Sequence, residues 1–364
     1  MKIAVIGGGN IGTLLAAEFA AKGHEVSLYT SHPRIWNREL EVYDAEEKLL
    51  LTGTAADITD SLEEAVRGAE YIWITWPASL FERLAGQLYP HVEAGQAIGV
   101  VPGSGGAEFA FHSCLEKGCV LFGLQRVHSI ARLKERGKSV YMLGRKPELQ
   151  LGAIPQRCAV NLAETVEGLL DIPCRVMPNY LSVTLTPSNP ILHTSRLYAM
   201  FRDYHEGLSY PRNFLFYEEW DNRASQVMLA CDQELQYLCH VIPLDLSEVK
   251  SLREHYESDT AEAMTTKIRS INAFKGLTSP MRQVSAAEGG VKAEENWIPD
   301  FSSRYFTADF SFGLKILIDI ADLFGVPADN MKNSWNWYRS VNDQGDSVYF
   351  RQKLEKEAFL SLYQ

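Results

Sequence analysis

The sequence predicts an α/β N-terminal domain with a doubly wound, mostly parallel sheet, followed by a mostly α-helical C-terminal domain. Three observations support this fold class. An apolar strand leads into a glycine loop and a helix at the N-terminus, strands and helices then alternate, and helical spacing dominates the second half. Because 364 residues exceed the usual size of one domain, we expect two domains, covering residues 1–180 and 181–364.

Composition and charge narrow the range of functions. Hydrophobic residues make up 46% of the chain and charged residues 22%, as in ordinary globular enzymes. The net charge is −11 and no Lys/Arg-dense run occurs, which argues against nucleic acid as a partner. The 6 cysteines form no C-x-x-C pair, so we expect reduced thiols and no metal site. No apolar stretch matches a signal peptide or a membrane span, and we expect a cytoplasmic protein with no membrane contact.

The first thirty or so residues predict a strand, a glycine loop, a helix and a second strand. KIAVI (2–6) is apolar and β-branched, which is typical of a strand buried on both faces. IGTLLAAEFAAKGH places apolar residues at helical spacing, and Gly23 is a plausible stop for this helix. EVSLYT (25–30) is the second strand.

Further alternation predicts that the same sheet continues. We expect a strand at about residues 70–75, an amphipathic helix in LFERLAGQLYPHV, and strands in AGQAIGVVPG, GCVLFGLQ and SVYMLGR. Beyond a proline-rich stretch near residue 178, helices are predicted at 224–242 and 312–326, with no strong strand alternation. The segment 276–308 is long, polar and aperiodic, and is interpreted as a functional loop or as disorder.

The glycine loop GGGNIG favours a dinucleotide cradle over a bare flexible turn. Gly7 permits a tight turn, Gly9 lets the backbone approach a pyrophosphate, and Gly12 lets the helix pack against the strand. The following helix begins near Asn10 and Ile11, whose N–H groups would face the phosphates. This arrangement predicts a Rossmann domain.

The end of the second strand bears on the choice of dinucleotide. An NAD site usually has Asp or Glu there, whereas this chain has Thr30, Ser31 and, slightly later, Arg34. Hydroxyl groups and a cation suit a 2′-phosphate, so we expect NADP, with NAD as the alternative if Glu39 or Glu41 reaches back. Pro77, in WPAS (76–79), is expected beneath the adenine or ribose, although an ordinary strand-ending turn explains it equally well.

Two later stretches carry a family resemblance. TPSNPILHTSRLY (186–198) and SSRYFTADFSFGL (302–314), taken with the glycine loop, resemble the opine dehydrogenase family of the octopine/nopaline type. SIAR (129–132) is similar to the Ala-Arg segment of that family, so the resemblance covers most of the chain in order. The chain departs from the family pattern at Ala308 and Ser311, where the family often has an acidic residue and a proline.

The resemblance implies an oxidoreductase that joins an α-keto acid to the amino group of an amino acid, with NAD(P)H reducing the imine. It implies that His193 is the general acid/base and that Asp309 orients it. We expect His193 near the domain junction, where a cleft would open. From the residues alone, His193 could instead be structural, and Asp309 could be a helix N-cap.

Carboxylate substrates require cations or polar groups near the reacting atoms. Arg132 is the first candidate, followed by Arg126, Arg196 and Arg304, although an arginine more often forms a surface ion pair than binds a ligand. Asn189 is expected to present its amide from an extended backbone before Pro190, and Thr194 is a further substrate-binding candidate.

Two other functions remain open. The first is a reductase of a small carbonyl acid, of the ketopantoate-reductase or glycerol-3-phosphate-dehydrogenase type, which would need a catalytic lysine such as Lys250, Lys267 or Lys275. The second is a non-catalytic dinucleotide sensor, against which the presence of both His193 and Asp309 argues. Small molecules are the expected partners, and the sequence leaves a homodimer open.

Overall fold

The computed structural model describes residues 1–284, 296–342 and 355–364, and the chain divides into two compact units. Unit 1 comprises Met1–Thr184 and Glu357–Gln364, and unit 2 comprises Leu185–Lys356. The sequence predicts a boundary at 180/181 and a helical domain that includes the whole C-terminus. The last residues instead pack with unit 1, because the buried Phe359 ring stacks on Phe109 with a centroid separation of 6.1 Å.

The strands and helices of unit 1 follow the predicted alternation in part of the chain and depart from it elsewhere. The strands are β1 Lys2–Ile6, β2 Glu25–Tyr29, β3 Glu39–Tyr43, β4 Leu49–Thr54, β5 Asp57–Thr59, β6 Tyr71–Ile74, β7 Ala97–Val100, β8 Val120–Leu124, β9 Ser129–Glu135, β10 Ser139–Arg145, β11 Leu149–Ile154 and β12 Cys174–Val176. The helices are α1 Asn10–Ala21, α2 Leu62–Val66, α3 Phe81–Leu88, α4 Ala107–Ala110, α5 His112–Glu116, α6 Ala159–Leu170 and α7 Leu181–Thr184, with short 3₁₀ helices at Pro33–Ile35, Ala78–Leu80 and Gln156–Cys158.

The main sheet has eight strands in the order β12-β11-β8-β7-β6-β1-β2-β5. Every neighbouring pair is parallel except β8 and β11, which run antiparallel. The order reverses around β1, and the glycine loop follows β1 directly, as in Rossmann domains. The predicted α/β Rossmann domain with a mostly parallel sheet is therefore confirmed.

A second sheet of unit 1, in the order β4-β3-β10-β9, was not predicted. SVYMLGR was expected to extend the main sheet, but this prediction was wrong: it forms β10, which pairs in parallel with β3 from about a hundred residues earlier. This sheet packs against α1 so closely that a Cβ on Gly53 would lie 2.1 Å from the carbonyl oxygen of Ala17. Burial against α1 therefore holds both strands in a separate layer.

Unit 2 is mostly helical, as predicted. Its helices are α8 Thr194–Phe201, α9 Asn222–Val241, α10 Leu252–Tyr256, α11 Ala261–Ser270, α12 Arg304–Thr307, α13 Lys315–Phe324 and α14 Asp329–Val341, with π-helical segments at Ser188–His193 and Phe310–Leu314 and a 3₁₀ helix at Asn272–Phe274. A last helix, α15 Lys356–Ser361, runs from the end of unit 2 into the C-terminal part of unit 1.

The segment 276–308 is only partly a loop. It contains the strands β13 Met281–Gln283 and β14 Trp297–Pro299, which pair antiparallel, and it ends in α12. Residues 285–295 of the predicted loop lie outside the described residues. Among the helices that are described, none combines the length and apolar character needed to cross a bilayer.

Candidate active site

The glycine loop of unit 1 is fixed by close backbone contacts. Gly7 has φ of +119°, a value that side-chain-bearing residues rarely adopt, and its N–H donates to the Tyr29 carbonyl at 3.0 Å. A Cβ on Gly12 would lie 1.7 Å from the Gly7 carbonyl oxygen, and a Cβ on Gly8 would lie 2.3 Å from the buried Trp36 ring. These glycines are required by the fold of the loop itself.

Gly9 differs from the other glycines of the loop because a Cβ there would meet nothing within 4 Å. Gly9 is the N-cap of α1, and no side chain caps the first N–H groups of this helix. A helix start with uncapped N–H groups and an open approach at Gly9 suits a phosphate group. The loop therefore fits the pyrophosphate of a dinucleotide.

Asn10 and Ile11 can serve a phosphate only through their backbone. The Asn10 side-chain oxygen accepts a hydrogen bond from the Leu133 N–H at 2.9 Å, which ties α1 to β9. Ile11 is partly buried and packs against the core. Their side chains thus hold the helix in place, while their N–H groups lie in its first turn.

The residues after β2 form the region that would recognise the adenosine ribose. Thr30 is buried, and its N–H donates to the Thr59 carbonyl at 2.9 Å. Ser31 and Arg34 are exposed, and Arg34 lies in the 3₁₀ helix Pro33–Ile35. Trp36 packs against Gly8, so this short helix lies close to the glycine loop.

No carboxylate occupies the position expected for an NAD ribose ligand. Glu39 and Glu41 lie on β3 in the second sheet, and Glu41 accepts a hydrogen bond from the Tyr43 hydroxyl at 3.0 Å. Pro77 follows β6 and caps the 3₁₀ helix Ala78–Leu80. Its neighbour Trp76 contacts the glycine loop, since a Cβ on Gly7 would lie 2.8 Å from the Trp76 ring.

In unit 2, His193 and Asp309 lie in direct contact although they are 116 residues apart in sequence. His193 Nδ1 is 2.8 Å from Asp309 Oδ2, and both side chains are mostly buried, with exposed fractions of 13% and 16%. An ionised carboxylate only accepts, so Nδ1 carries the proton of the neutral ring and Nε2 carries the lone pair. A ring oriented in this way can exchange a proton at Nε2.

Two π-helical segments bring the pair together. Ser188–His193 ends at His193, and Phe310–Leu314 begins directly after Asp309. The segments touch where a Cβ on Gly313 would lie 3.2 Å from the Pro190 ring. π-Helical turns are rare and occur often at functional sites. Asp309 occupies the N-cap position of the second segment, as the sequence allows, but its side chain makes no capping hydrogen bond.

Comparison with known proteins finds similarity in both units. Residues 176–342 match the family model described as NAD/NADP octopine/nopaline dehydrogenase, alpha-helical domain, and residues 2–108 match that of the NAD-dependent glycerol-3-phosphate dehydrogenase N-terminus. Tauropine dehydrogenase of Arabella iricolor is 24% identical over 93% of this chain and 91% of its own length.

This chain resembles the opine dehydrogenases.

Two solved structures share the fold of this opine dehydrogenase-like chain. Octopine dehydrogenase with NADH and L-arginine aligns with a TM-score of 0.80 and 24% identity, covering 94% of this chain and 89% of that one. Yersinopine dehydrogenase with NADP⁺ aligns with a TM-score of 0.67 and 12% identity, covering 93% and 90%. The glycerol-3-phosphate dehydrogenase match ends within unit 1, so it concerns the dinucleotide-binding domain alone.

The predicted substrate-binding residues Asn189 and Thr194 differ in their exposure to solvent. Asn189 is exposed, but it lies within the π-helical segment, so the predicted extended backbone before Pro190 was wrong. Proline is tolerated there because it lies in the first turn of the helical run, where an N–H has no intrahelical partner. Thr194 is buried, and its hydroxyl donates to the Pro190 carbonyl at 2.6 Å, so it stabilises its own helix.

The candidate arginines differ in their surroundings. Arg132 is exposed on β9 in unit 1, where it donates to the Ala131 carbonyl at 3.0 Å. Arg126 also belongs to unit 1, and Arg304 is exposed at the start of α12 in unit 2. Arg196 is buried and donates to two backbone carbonyls, which leaves it a structural role rather than the predicted role as a carboxylate ligand.

Sequence reasoning missed Tyr217. Its hydroxyl lies 2.9 Å from His193 Nε2, on the side of the ring opposite Asp309. Phe216 and Tyr305 add to an aromatic wall, with ring centroids 5.6 Å and 4.7 Å from that of His193. Tyr217 lies in no recognised motif, and only the density of aromatic residues in residues 210–220 could have drawn attention to it.

Proposed function

We propose that this protein catalyses the NAD(P)H-dependent reductive condensation of an α-keto acid with the amino group of an amino acid. The observation that carries this proposal is the contact of 2.8 Å between His193 Nδ1 and Asp309 Oδ2. Similarity to tauropine dehydrogenase over 93% of the chain supports it, as do the dinucleotide-binding fold of unit 1 and the match of residues 176–342 to the octopine/nopaline dehydrogenase helical domain.

His193 acts as the general acid/base. Condensation of an amine with a keto acid first gives a carbinolamine, and loss of its hydroxyl as water requires a proton donor. Protonated His193 supplies that proton from its Nε2 side and becomes neutral. Asp309 accepts the Nδ1–H in both states, so it fixes the ring orientation and stabilises the imidazolium. A bound reduced nicotinamide would supply the hydride that converts the resulting iminium ion into a secondary amine.

NADP(H) is the proposed cofactor, with NAD(H) as the alternative. The loop at Gly7, Gly9 and Gly12 and the N–H groups of Asn10 and Ile11 would hold the pyrophosphate.

Thr30, Ser31 and Arg34 would recognise the 2′-phosphate of NADP. Arg34 is exposed beside the glycine loop, and no described residue pairs with it. Pro77, next to a residue that contacts the loop, would lie along the adenosine. Among the neighbours of this fold, yersinopine dehydrogenase carries NADP⁺ and octopine dehydrogenase carries NADH.

Arg132 and Asn189 are the proposed substrate-binding residues. Both are exposed, and Arg132 has no carboxylate partner among the described residues. A guanidinium without such a partner can bind a substrate carboxylate in bidentate geometry.

The test is a substrate assay with purified protein, NADPH or NADH, pyruvate, and a panel of amines that includes arginine and taurine. Oxidation of the reduced nucleotide should require both pyruvate and an amine, and mass spectrometry should find the secondary amine product. Oxidation with a keto acid alone would instead identify a carbonyl reductase. Tight cofactor binding without turnover across the panel would favour a sensor.

A further inference from the structure

Nε2, the nitrogen of His193 that would exchange a proton, already forms a hydrogen bond with another side chain. Asp309 Oδ2 lies 2.8 Å from Nδ1, and the Tyr217 hydroxyl lies 2.9 Å from Nε2. An imidazole nitrogen has one hydrogen-bonding direction, in the plane of the ring. A substrate atom cannot take that direction at Nε2 while the phenol occupies it.

The Tyr217 ring has little freedom to move aside. It is 5% exposed, and it stacks on Phe274 with ring centroids 4.0 Å apart and an interplanar angle of 17°. Trp220 lies parallel to it, with an interplanar angle of 6°. Displacing this ring would break a close aromatic stack and expose apolar surface.

The backbone around Tyr217 is held by the helix that follows His193. Arg196 donates from Nε to the Phe216 carbonyl at 3.0 Å and from Nη2 to the Glu219 carbonyl at 2.7 Å. Arg196 is 3% exposed, so these charge-assisted bonds form away from solvent. The same helical run therefore carries His193 and anchors the loop that brings Tyr217 to it.

We propose that Tyr217 completes a proton-transfer chain, Asp309–His193–Tyr217, in which the phenol hydroxyl exchanges the proton with the substrate and His193 exchanges it with the phenol. This inference rests on the proposed function, because it specifies the group that protonates the departing hydroxyl of the carbinolamine.

The chemistry of a phenol allows both halves of this exchange. A phenol can donate one hydrogen bond while it accepts another. Burial raises the pKa of Tyr217 far above its ordinary value, so the hydroxyl keeps its proton whenever the enzyme is at rest.

The transfer balances without any added reactant. As the Tyr217 O–H proton passes to the carbinolamine hydroxyl, the C–O bond breaks to release water and the nitrogen lone pair forms the C=N bond of an iminium ion. The Nε2–H proton of His193 moves to the phenol oxygen. His193 is left neutral, with Nδ1–H still donated to Asp309, and Tyr217 is left as a phenol.

The experiment compares Tyr217→Phe with the matched control Tyr210→Phe. Tyr210 is a partly buried tyrosine of unit 2, and its ring packs on Phe201 and Phe214 rather than on His193. Tyr217→Phe should lower kcat by about a hundredfold or more and leave KM and the cofactor Kd within about threefold. Tyr210→Phe should leave kcat within about twofold.

Nitrogen-15 NMR of the His193 ring provides a readout that does not depend on turnover. The Nε2 resonance should shift in Tyr217→Phe and stay in place in Tyr210→Phe, while unchanged thermal unfolding shows that both variants are folded. A kcat that stays within about threefold in Tyr217→Phe would overturn the proposal, since Nε2 would then reach the substrate itself.

The two proposals can fail separately. If the wild-type protein shows no condensation with any amine, the proposed function fails, and the NMR comparison still tests the coupling of Tyr217 to His193. An Nε2 resonance that is the same in wild type and Tyr217→Phe would overturn the chain whatever the activity. A condensing wild type with an impaired Tyr217→Phe variant and a shifted resonance supports both proposals.

Discussion

Gly12 faces the carbonyl group of Gly7 so closely that a Cβ at position 12 would lie 1.7 Å from the Gly7 oxygen. A Cβ on Gly9, between them in sequence, would meet nothing within 4 Å apart from its own chain neighbours. Gly12 is therefore needed by the fold, whereas the fold leaves room for a side chain at Gly9, where we expect the cofactor to approach.

Substitution of these two glycines separates folding from cofactor binding. Gly12→Ala should lower the melting temperature by several degrees and weaken cofactor binding, because the helix must move away from the loop. Gly9→Ala should leave the melting temperature unchanged and still weaken cofactor binding by about tenfold or more. Thermal unfolding and cofactor titration by fluorescence measure both effects. Undiminished cofactor affinity in Gly9→Ala would mean that the pyrophosphate does not approach there.

Removal of the acid/base pair should affect turnover far more than cofactor binding. His193→Ala should lower turnover by about a hundredfold or more, and Asp309→Asn by about tenfold or more, because Asn neither fixes the tautomer nor stabilises the imidazolium. His205, an exposed histidine of unit 2, provides the control, and the His205→Ala variant should keep the turnover of the wild-type protein. Steady-state kinetics and cofactor Kd values test this, and an active His193→Ala variant would show the catalytic assignment to be wrong.

Arg34 should discriminate between the two dinucleotides. Arg34→Ala should raise the Kd for NADPH by about tenfold or more and change that for NADH little, because only NADPH carries the 2′-phosphate. Arg38→Ala is the matched control, since Arg38 is also exposed but donates to the Ala55 carbonyl at 3.0 Å. Equal effects of Arg34→Ala on both nucleotides would remove the basis for preferring NADP.

Glu108 makes the stability of unit 1 depend on pH. Burial raises the pKa of this carboxyl group to about 7, and the hydroxyls of Thr184 and Tyr363 donate to its Oε1 at 2.5 Å and 3.0 Å. Because the folded-state pKa exceeds the ordinary value of 4.5, the protonated form favours folding. This contribution is complete below about pH 4.5 and is lost as the pH rises through about 7.

Melting temperatures near pH 5.5 and pH 8 test this dependence. The wild-type protein should lose several degrees more than Glu108→Gln between these two values, since glutamine keeps the shape and does not titrate. Glu18 is a buried carboxyl group whose pKa is lowered overall, because hydrogen bonds from His128 and Arg145 outweigh the effect of burial. Its contribution is lost only at acidic pH and stays constant across this range. Identical pH dependence in both proteins would show that Glu108 does not titrate here.

Local pattern in the sequence was sufficient for the parts of unit 1 that are contiguous in the chain. Within thirty residues the chain forms β1, the glycine loop, α1 and β2. The apolar runs identify the strands directly, the glycines identify the loop, and the helical spacing of apolar residues identifies α1. The four-stranded sheet could not be predicted in this way. Its strand β10 pairs with β3, and several strands of the main sheet lie between these two in the sequence. Strands so far apart in sequence pair because together they cover a surface of α1, and the sequence of each strand alone does not reveal that surface.

The sequence by itself determined the fold class and the glycine loop between β1 and α1, and it indicated His193 and Asp309 as a candidate pair through family resemblance. Only the tertiary structure decided which side chains meet. It placed Asp309 on one nitrogen of His193 and Tyr217 on the other, and it assigned Arg196 to the loop that carries Tyr217. The physical reason is that a hydrogen bond between distant side chains depends on how their helices and strands pack in three dimensions. Spacing along the chain shows which way side chains point only within a single helix or strand.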